Sequence, residues 1–109
     1  MLKARSKIWF EDEEGNYMMG PRTARLLAAV EAMGSLSAAA KEAGFSYRAA
    51  WNRIKRVEEA CGYALLETAV GGQGGGGSSL SREGKALVEA FKNLDKDMQH
   101  LLNQHLKRS

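Results

Sequence analysis

Apolar residues recur at helical spacing in three stretches of the chain, and each stretch is bounded by residues that favour a helix end. The first stretch follows Pro21, which suits the first turn of a helix, and stops at Gly34. Its predicted core face consists of Leu26, Leu27, Val30 and Met33. Arg22 and Arg25 in its first turns fit phosphate contacts and solvated surface equally well.

The second stretch, residues 34–62, holds two helix starts separated by a glycine. Ser37 and Ser46 can each accept a hydrogen bond from a backbone amide that has no partner within the helix. Gly44 lies where a helix is expected to end in a left-handed turn. A short helix, a tight turn and a longer helix predict a helix-turn-helix.

The longer helix, predicted over residues 46–61, has an apolar stripe and a polar face. The stripe, which we expect to be buried, is formed by Ala50, Ile54, Val57 and Cys61. The polar face carries Arg48, Asn52, Lys55, Arg56 and Glu59, with Tyr47 and Trp51 at its margin. Arg and Asn can bond the edges of guanine and adenine in the major groove, so this helix is predicted to read DNA. A surface helix with a solvated charged face is the alternative.

Two β-ribbons are predicted to flank the helices. The first is a hairpin over residues 7–19, with the turn signal Gly15-Asn16 and an acidic tip, residues 11–14, that we expect to face away from the duplex. The second is a wing over residues 65–80, whose glycine-rich tip would bring backbone amides against phosphates. Gln73 is the only long side chain in that tip. A flexible linker is the alternative for the glycine run.

The glycine run also matches the dinucleotide-binding pattern G-x-G-x-x-G at Gly72, Gly74 and Gly77. The βαβ unit that this pattern requires is missing, and any poly-glycine segment satisfies it. The sequence therefore predicts no cofactor.

The third stretch predicts a helix over residues 81–107, capped by Ser81. Apolar residues separated alternately by four and three residues form a heptad seam along it. The seam comprises Leu87, Phe91, Leu94, Met98, Leu101 and His105, and Leu102 widens it. A domain of this size cannot cover so long a seam, so we predict a homodimer held by this helix. A helix folded back over its own domain is the alternative.

Composition narrows the possible functions. A chain of 109 residues fits one domain, residues 1–109, with one modest core. The net charge is +3, and residues 41–57 carry five basic side chains against one acidic side chain, as nucleic-acid binding needs.

The single cysteine, Cys61, suits a buried thiol in a reducing cytoplasm, and no apolar run is long enough to cross a membrane. His100 and His105 are five residues apart, which does not suit a helical metal site, and no catalytic arrangement suggests an enzyme.

Four segments carry a resemblance to a known family. They are GSLSAAA (34–40), SYRAAW (46–51), IKRVEEACG (54–62) and LSREG (80–84), and they resemble the LysR-type winged helix-turn-helix. SYRAAW together with VGGQGGGG (70–77) is similar to the N-terminal DNA-binding domain of ModE-type molybdate-responsive regulators. The expected fold is mainly α with small β: a winged helix-turn-helix with an N-terminal hairpin and a long C-terminal dimerisation helix.

The resemblance implies a dimeric transcription regulator on a palindromic operator, with a recognition helix starting at Ser46 and a wing at residues 71–79. Members that sense molybdate do so through C-terminal oxyanion-binding domains, and this chain stops after the long helix. We therefore do not expect this chain to sense molybdate by itself. The alternatives are a stand-alone short member, with any molybdate-sensing partner a separate protein, and a piece of a longer protein. Relatives often carry Arg where this chain has Glu67-Thr68, so one phosphate contact is expected to be lost.

These inferences assign roles to individual residues. Arg48, Asn52 and Lys55 are predicted to meet base edges, with Tyr47 or Trp51 against a thymine methyl group. The residues predicted to contact phosphates are Ser37, Lys41, Arg53 and Arg56 with the wing amides, and Ser46 and Gln73 complete the predicted DNA-binding set. The main alternative is a winged-helix adaptor that holds a protein partner through the face of Tyr47 and Trp51.

Overall fold

The computed structural model describes residues 1–68 and 77–107. Its elements in chain order are β1 (Phe10–Glu11), β2 (Tyr17–Met19), α1 (Pro21–Met33), α2 (Leu36–Ala43), α3 (Tyr47–Cys61), β3 (Leu66–Thr68), β4 (Ser78–Leu80) and α4 (Arg82–Lys107). β1 pairs with β2 and β3 pairs with β4, both antiparallel. The predicted fold class, a winged helix-turn-helix with an N-terminal hairpin and a long last helix, is confirmed.

The N-terminal hairpin turns on the carboxylate of Asp12. It accepts hydrogen bonds from the backbone amides of Glu14 and Asn16, both at 2.9 Å, and these bonds with the Asn16 side chain lower the pKa of Asp12. Gly15 supplies the left-handed conformation of the turn, with φ of +88°. The first strand begins at Phe10, three residues later than the sequence pattern suggests.

The core lies where α1, α2 and α3 meet. Leu26, Leu27 and Val30 of α1 are fully buried there, as predicted, but Met33 in the last turn is 46% exposed. The prediction of a buried Cys61 is also wrong, because the thiol is exposed. Both residues are the last of their helices, where neighbouring elements no longer cover the apolar stripe.

The helix-turn-helix forms as predicted except at the start of α2. Ser35, not Ser37, is the cap, and its hydroxyl accepts a hydrogen bond from the Ala38 amide at 3.1 Å. The buried Leu36 belongs to the apolar face of α2, so the helix begins before Ser37. Ser46 is confirmed as the cap of α3, accepting from the Ala49 amide at 3.1 Å. Gly44 ends α2 with φ of +80°.

The root of the β3–β4 ribbon is attached to α4. The Ser81 amide donates to the Leu65 carbonyl at 2.8 Å, and the Ser81 hydroxyl accepts from the Gly84 amide at 2.9 Å, which caps α4. Gly84 lies so close to Leu65 that an added Cβ atom would be 2.3 Å from its carbonyl oxygen. The predicted wing tip, with Gln73, lies outside the described residues.

The predicted seam of α4 divides into two parts. Phe91 is only 6% exposed, because its ring meets Phe10 of the same chain edge-on at 5.3 Å, and Leu87 also packs against the core. Both residues therefore pack within their own chain, and their predicted contact with a partner stays a prediction. The exposed part of the seam consists of Leu94, Met98, Leu101 and His105, with Leu102 half-buried beside it.

The N-terminal segment follows the distal half of α4. The side-chain amide of Gln99 donates to the Ala4 carbonyl at 3.1 Å, and Ile8 packs against the core. The segment is therefore docked on α4 at Ala4. Among the described residues, no helix combines the length and the hydropathy needed to cross a membrane.

Candidate nucleic-acid interface

The outward face of α3 carries three polar side chains that we call the reading face: Arg48, Asn52 and Arg56. They are exposed because the opposite side of the helix is anchored in the core by Ala50, Ile54 and Val57. Their regular spacing of four residues extends the face over about 12 Å of helix. Within residues 1–68 and 77–107, none of the three makes a hydrogen bond or an ion pair. The face is therefore available for contacts outside the chain.

One edge of the reading face, here called the wing flank, consists of Tyr47, Trp51, Lys55 and Glu58. The two aromatic rings are 57% and 44% exposed. The Lys55 ammonium lies 5.4 Å from the centre of the Trp51 ring and 3.1 Å from a Glu58 carboxylate oxygen. The positive charge on this flank is thus partly neutralised by the same helix.

Glu58 also connects α3 to the ribbon. Its second carboxylate oxygen accepts a hydrogen bond of 2.7 Å from the Leu65 amide, one residue before β3. An open groove of about 200 Å³ runs beside this bond, between α3 and the ribbon. Its lining includes Leu36, Tyr47, Trp51, Leu66 and Ser78. The wing flank therefore ends in a partly apolar groove.

The opposite edge, here called the turn flank, consists of Arg22, Phe45 and Arg53. The Arg22 guanidinium lies 4.4 Å from the centre of the Phe45 ring, and the Arg53 guanidinium lies 5.6 Å from it. Arg22 also donates to the Gly44 carbonyl at 3.5 Å, within the turn between α2 and α3. In the part of the chain that the structure describes, no carboxylate lies within 4 Å of either guanidinium.

The remaining predicted site residues are distributed around these three surfaces. Ser37 and Lys41 are exposed on α2. Ser46 uses its hydroxyl oxygen to cap α3, which leaves its hydroxyl hydrogen able to donate. Lys55, predicted to meet a base edge, is engaged with Glu58 instead of pointing freely outward.

Three residues of these surfaces were not among the predicted site residues: Arg22, Phe45 and Glu58. Arg22 and Arg53 are 31 positions apart in the sequence, and only the folded chain brings them to one ring. Phe45 directly follows the turn glycine, and an aromatic residue at this point of the turn is a sequence signal that could have identified it. The spacing of Lys55 and Glu58, three residues apart on a helix, is a known ion-pair signal.

Negative charge gathers at the other end of α3. Glu11, Asp12 and Glu13 of the hairpin line a groove together with Ala60 and Cys61, which lie in the last turn of the helix. The cations of the reading face and turn flank extend no further than Arg56. A polyanion would therefore be attracted to the first three turns of α3. Among the described residues, no cluster of His, Cys, Asp and Glu could hold a metal ion.

Comparison with known proteins places this surface in context. A family model described as "Bacterial regulatory helix-turn-helix protein, lysR family" matches residues 21–85, which include α1, α2 and α3. The chain is 41% identical over 71 residues to the DNA-binding transcriptional dual regulator ModE of Escherichia coli K12, covering 65% of this chain and 27% of that protein. It is 36% identical over 85 residues to the molybdenum-pterin-binding protein MopB of Rhodobacter capsulatus, covering 78% of this chain and 32% of that protein.

Solved structures share the fold. The crystal structure of the CbnR_DBD-DNA complex superposes with a TM-score of 0.60 at 22% identity, over 80% of this chain and 94% of that one. ArgP from Mycobacterium tuberculosis superposes with a TM-score of 0.57 at 22% identity, over 78% of this chain and 30% of that one. The chain spans about a quarter to a third of the length of the curated relatives named above.

Proposed function

The chain belongs to the lysR family of bacterial regulatory helix-turn-helix proteins, and we propose that it is a sequence-specific transcription regulator of double-stranded DNA. In this proposal α3 lies in the major groove, where an α-helix fits and each base pair presents a distinct hydrogen-bonding pattern. The observation that carries the proposal is the reading face, whose three polar side chains are exposed and have no partner among the described residues.

Arg48 and Asn52 are the proposed base readers. The guanidinium of Arg48 can donate two hydrogen bonds to a guanine, and the amide of Asn52 can pair in the same way with an adenine. Lys55 is a weaker candidate than the sequence suggested, because Glu58 competes for its ammonium at 3.1 Å. Arg56, at the end of the reading face, is proposed to contact the DNA backbone, as are Ser37 and Lys41 on α2.

We further propose that two copies pair through the exposed seam of α4. Leu94, Met98 and Leu101 are 48%, 37% and 47% exposed, and they recur along one side of a helix that extends beyond the core. Their burial against a second copy would remove this apolar surface from water. A two-fold axis would then present two α3 helices to half-sites about one helical turn, roughly 34 Å, apart.

A protein-interaction adaptor is the second candidate, favoured by the exposed rings of Tyr47 and Trp51. These rings and Arg48 line an open hollow of about 270 Å³ on the surface of α3. An adaptor would use this hollow for a partner protein and would have no need of phosphates. The two functions therefore differ in how binding depends on salt, since only DNA binding releases many counterions.

Selection of binding sites from random duplex DNA, followed by titration of Arg48→Ala, tests the proposal. We expect the variant to lose about 1–3 kcal/mol of binding free energy on the selected site and much less on random duplex, because a base contact specifies sequence. Arg25→Ala is the matched control, since Arg25 is an exposed arginine of α1 beside α4. Equal losses on both duplexes would show that Arg48 does not read a base.

The pairing of two copies is tested by Leu101→Asp. A charge in the centre of the exposed seam should shift sedimentation from dimer to monomer and weaken binding to a two-fold site. A monomer before the substitution, or a dimer unchanged by it, would contradict the proposed role of α4.

A further inference from the structure

The turn flank gathers positive charge without supplying a counterion. Arg22 comes from the first turn of α1 and Arg53 from the middle of α3, yet both guanidiniums lie over the ring of Phe45. Their distances of 4.4 and 5.6 Å from one ring centre put the two charges within about 10 Å of each other. Among residues 1–68 and 77–107, neither has a carboxylate within 4 Å.

Such an arrangement favours the binding of an anion. Two like charges repel each other, although salt at about 0.1 M already weakens this repulsion when their separation approaches the Debye length of roughly 10 Å. Attraction between each guanidinium and the ring face offsets part of that repulsion. An anion between or beside the guanidiniums would offset the rest and would gain charge-assisted hydrogen bonds from both.

The position of the flank indicates which anion it meets. Arg53 lies at the edge of the reading face, whose residues are proposed to enter the major groove, and the edges of that groove are lined by phosphates. Resting on the proposed function, we propose that Arg22 and Arg53 form a phosphate-binding pair on Phe45 that clamps the DNA backbone beside α3. Arg22, outside the helix-turn-helix itself, is thereby a positioning residue for recognition.

The geometry also explains how the clamp is held. Phe45 is half-buried and packs against the core, so its ring offers a fixed platform in the turn. Arg22 donates to the Gly44 carbonyl in the same turn. A phosphate held by Arg22 and Arg53 would therefore be held by α1, the turn and α3 at once, which fixes the angle at which α3 enters the groove.

The clamp predicts a loss that does not depend on base sequence. Arg22→Ala should weaken binding to the selected duplex and to random duplex by the same factor, on the order of tenfold, and lower the slope of log affinity against log salt by about one. Arg25→Ala is the matched control, an exposed arginine of the same helix that has no aromatic platform among the described residues, and should change neither quantity. Phe45→Leu keeps apolar volume in the turn and should lose part of the same affinity.

A duplex with a neutral methylphosphonate in place of one phosphate locates the contact. Scanned along the selected site, one such replacement should remove the difference between the unaltered chain and Arg22→Ala while leaving the difference for Arg48→Ala. Circular dichroism melting of each variant separates loss of contact from loss of fold. Specific binding that Arg22→Ala leaves unchanged overturns the clamp but not the proposed function, whereas an unaltered chain that binds no duplex overturns both.

Discussion

The two flanks of α3 carry cations in different electrostatic surroundings. On the wing flank, Lys55 is 3.1 Å from Glu58 and stacks on Trp51, so its charge is partly neutralised within the same helix. On the turn flank, Arg22 and Arg53 share Phe45, and the described part of the chain places no carboxylate near them. The same helix thus has one internally neutralised edge and one edge left positive.

This contrast separates structural charge from charge that is available for binding. The Lys55 partner of this ion pair is half exposed, so the pair contributes little to stability, typically below about 1 kcal/mol. It nevertheless reduces the charge that the wing flank offers to DNA. The guanidiniums of the turn flank have no described carboxylate within 4 Å, so they remain available to bind a phosphate. A count of basic residues along α3 would treat both flanks alike, and the contacts show that they differ.

The wing flank contacts the root of the ribbon through Leu65, whereas the turn flank contacts α1, and Gly84→Ala changes only the first of these surroundings. The added Cβ atom would be 2.3 Å from the Leu65 carbonyl oxygen, a backbone atom that cannot simply rotate away. Overpacking of this kind costs about 1–3 kcal/mol, and we expect a loss near the upper end in the free energy of unfolding. Chemical denaturation measures it, with Glu89→Ala on exposed α4 surface as the control.

The same variant should affect the two flanks unequally. Leu65 also donates its amide to Glu58, so displacement of Leu65 disturbs the wing flank, whereas the turn flank depends on α1 and the α2–α3 turn. DNA binding by the folded variant should therefore keep its salt dependence. A weaker dependence of DNA binding on salt would show that the turn flank depends on the packing of Gly84 against Leu65.

A direct comparison of Arg53→Ala with Lys55→Ala tests the charge difference itself. Removal of Arg53 deletes a cation that has no described carboxylate within 4 Å. It should weaken binding to all duplexes about tenfold and lower the slope of log affinity against log salt by about one. Removal of Lys55 also frees Glu58, but the lost charge was partly neutralised, so the loss should be about threefold. Affinity titrations at four salt concentrations measure both variants. A larger loss for Lys55→Ala would reverse the assignment of the flanks.

Residues whose environment is set by nearby sequence were predictable. Ser46, Gly44 and the stripe Ala50, Ile54 and Val57 follow from capping, turn and periodicity rules that act over a few positions, and the structure confirms each of them. The helix-turn-helix and the exposure of Arg48 and Asn52 follow from the same rules. Local pattern therefore recovered the fold class and the exposure of these two side chains.

Residues whose environment depends on distant parts of the chain were not predictable. Periodicity placed Cys61 and Met33 on buried stripes, but it cannot show where a neighbouring element stops covering a helix. It placed Phe91 in a dimer seam, although Phe10 from the hairpin covers that ring. The meeting of Arg22 with Phe45 depends on how α1 packs on the turn, which no local spacing encodes.

Glu58→Gln should give the smallest effect and would make the wing flank resemble the turn flank. The amide oxygen of Gln can still accept the hydrogen bond from Leu65, so the link to the ribbon is retained. The negative charge that pairs with Lys55 is removed. Lys55 then becomes available to a phosphate, and affinity for all duplexes should rise about two- to fivefold with a salt slope steeper by at most about one. Glu89→Gln on α4 removes the same charge away from α3 and separates this local effect from a change in net charge. Tighter binding by Glu58→Gln but not by Glu89→Gln would place the wing flank beside the DNA backbone, whereas unchanged binding by both would mean that only the turn flank approaches it.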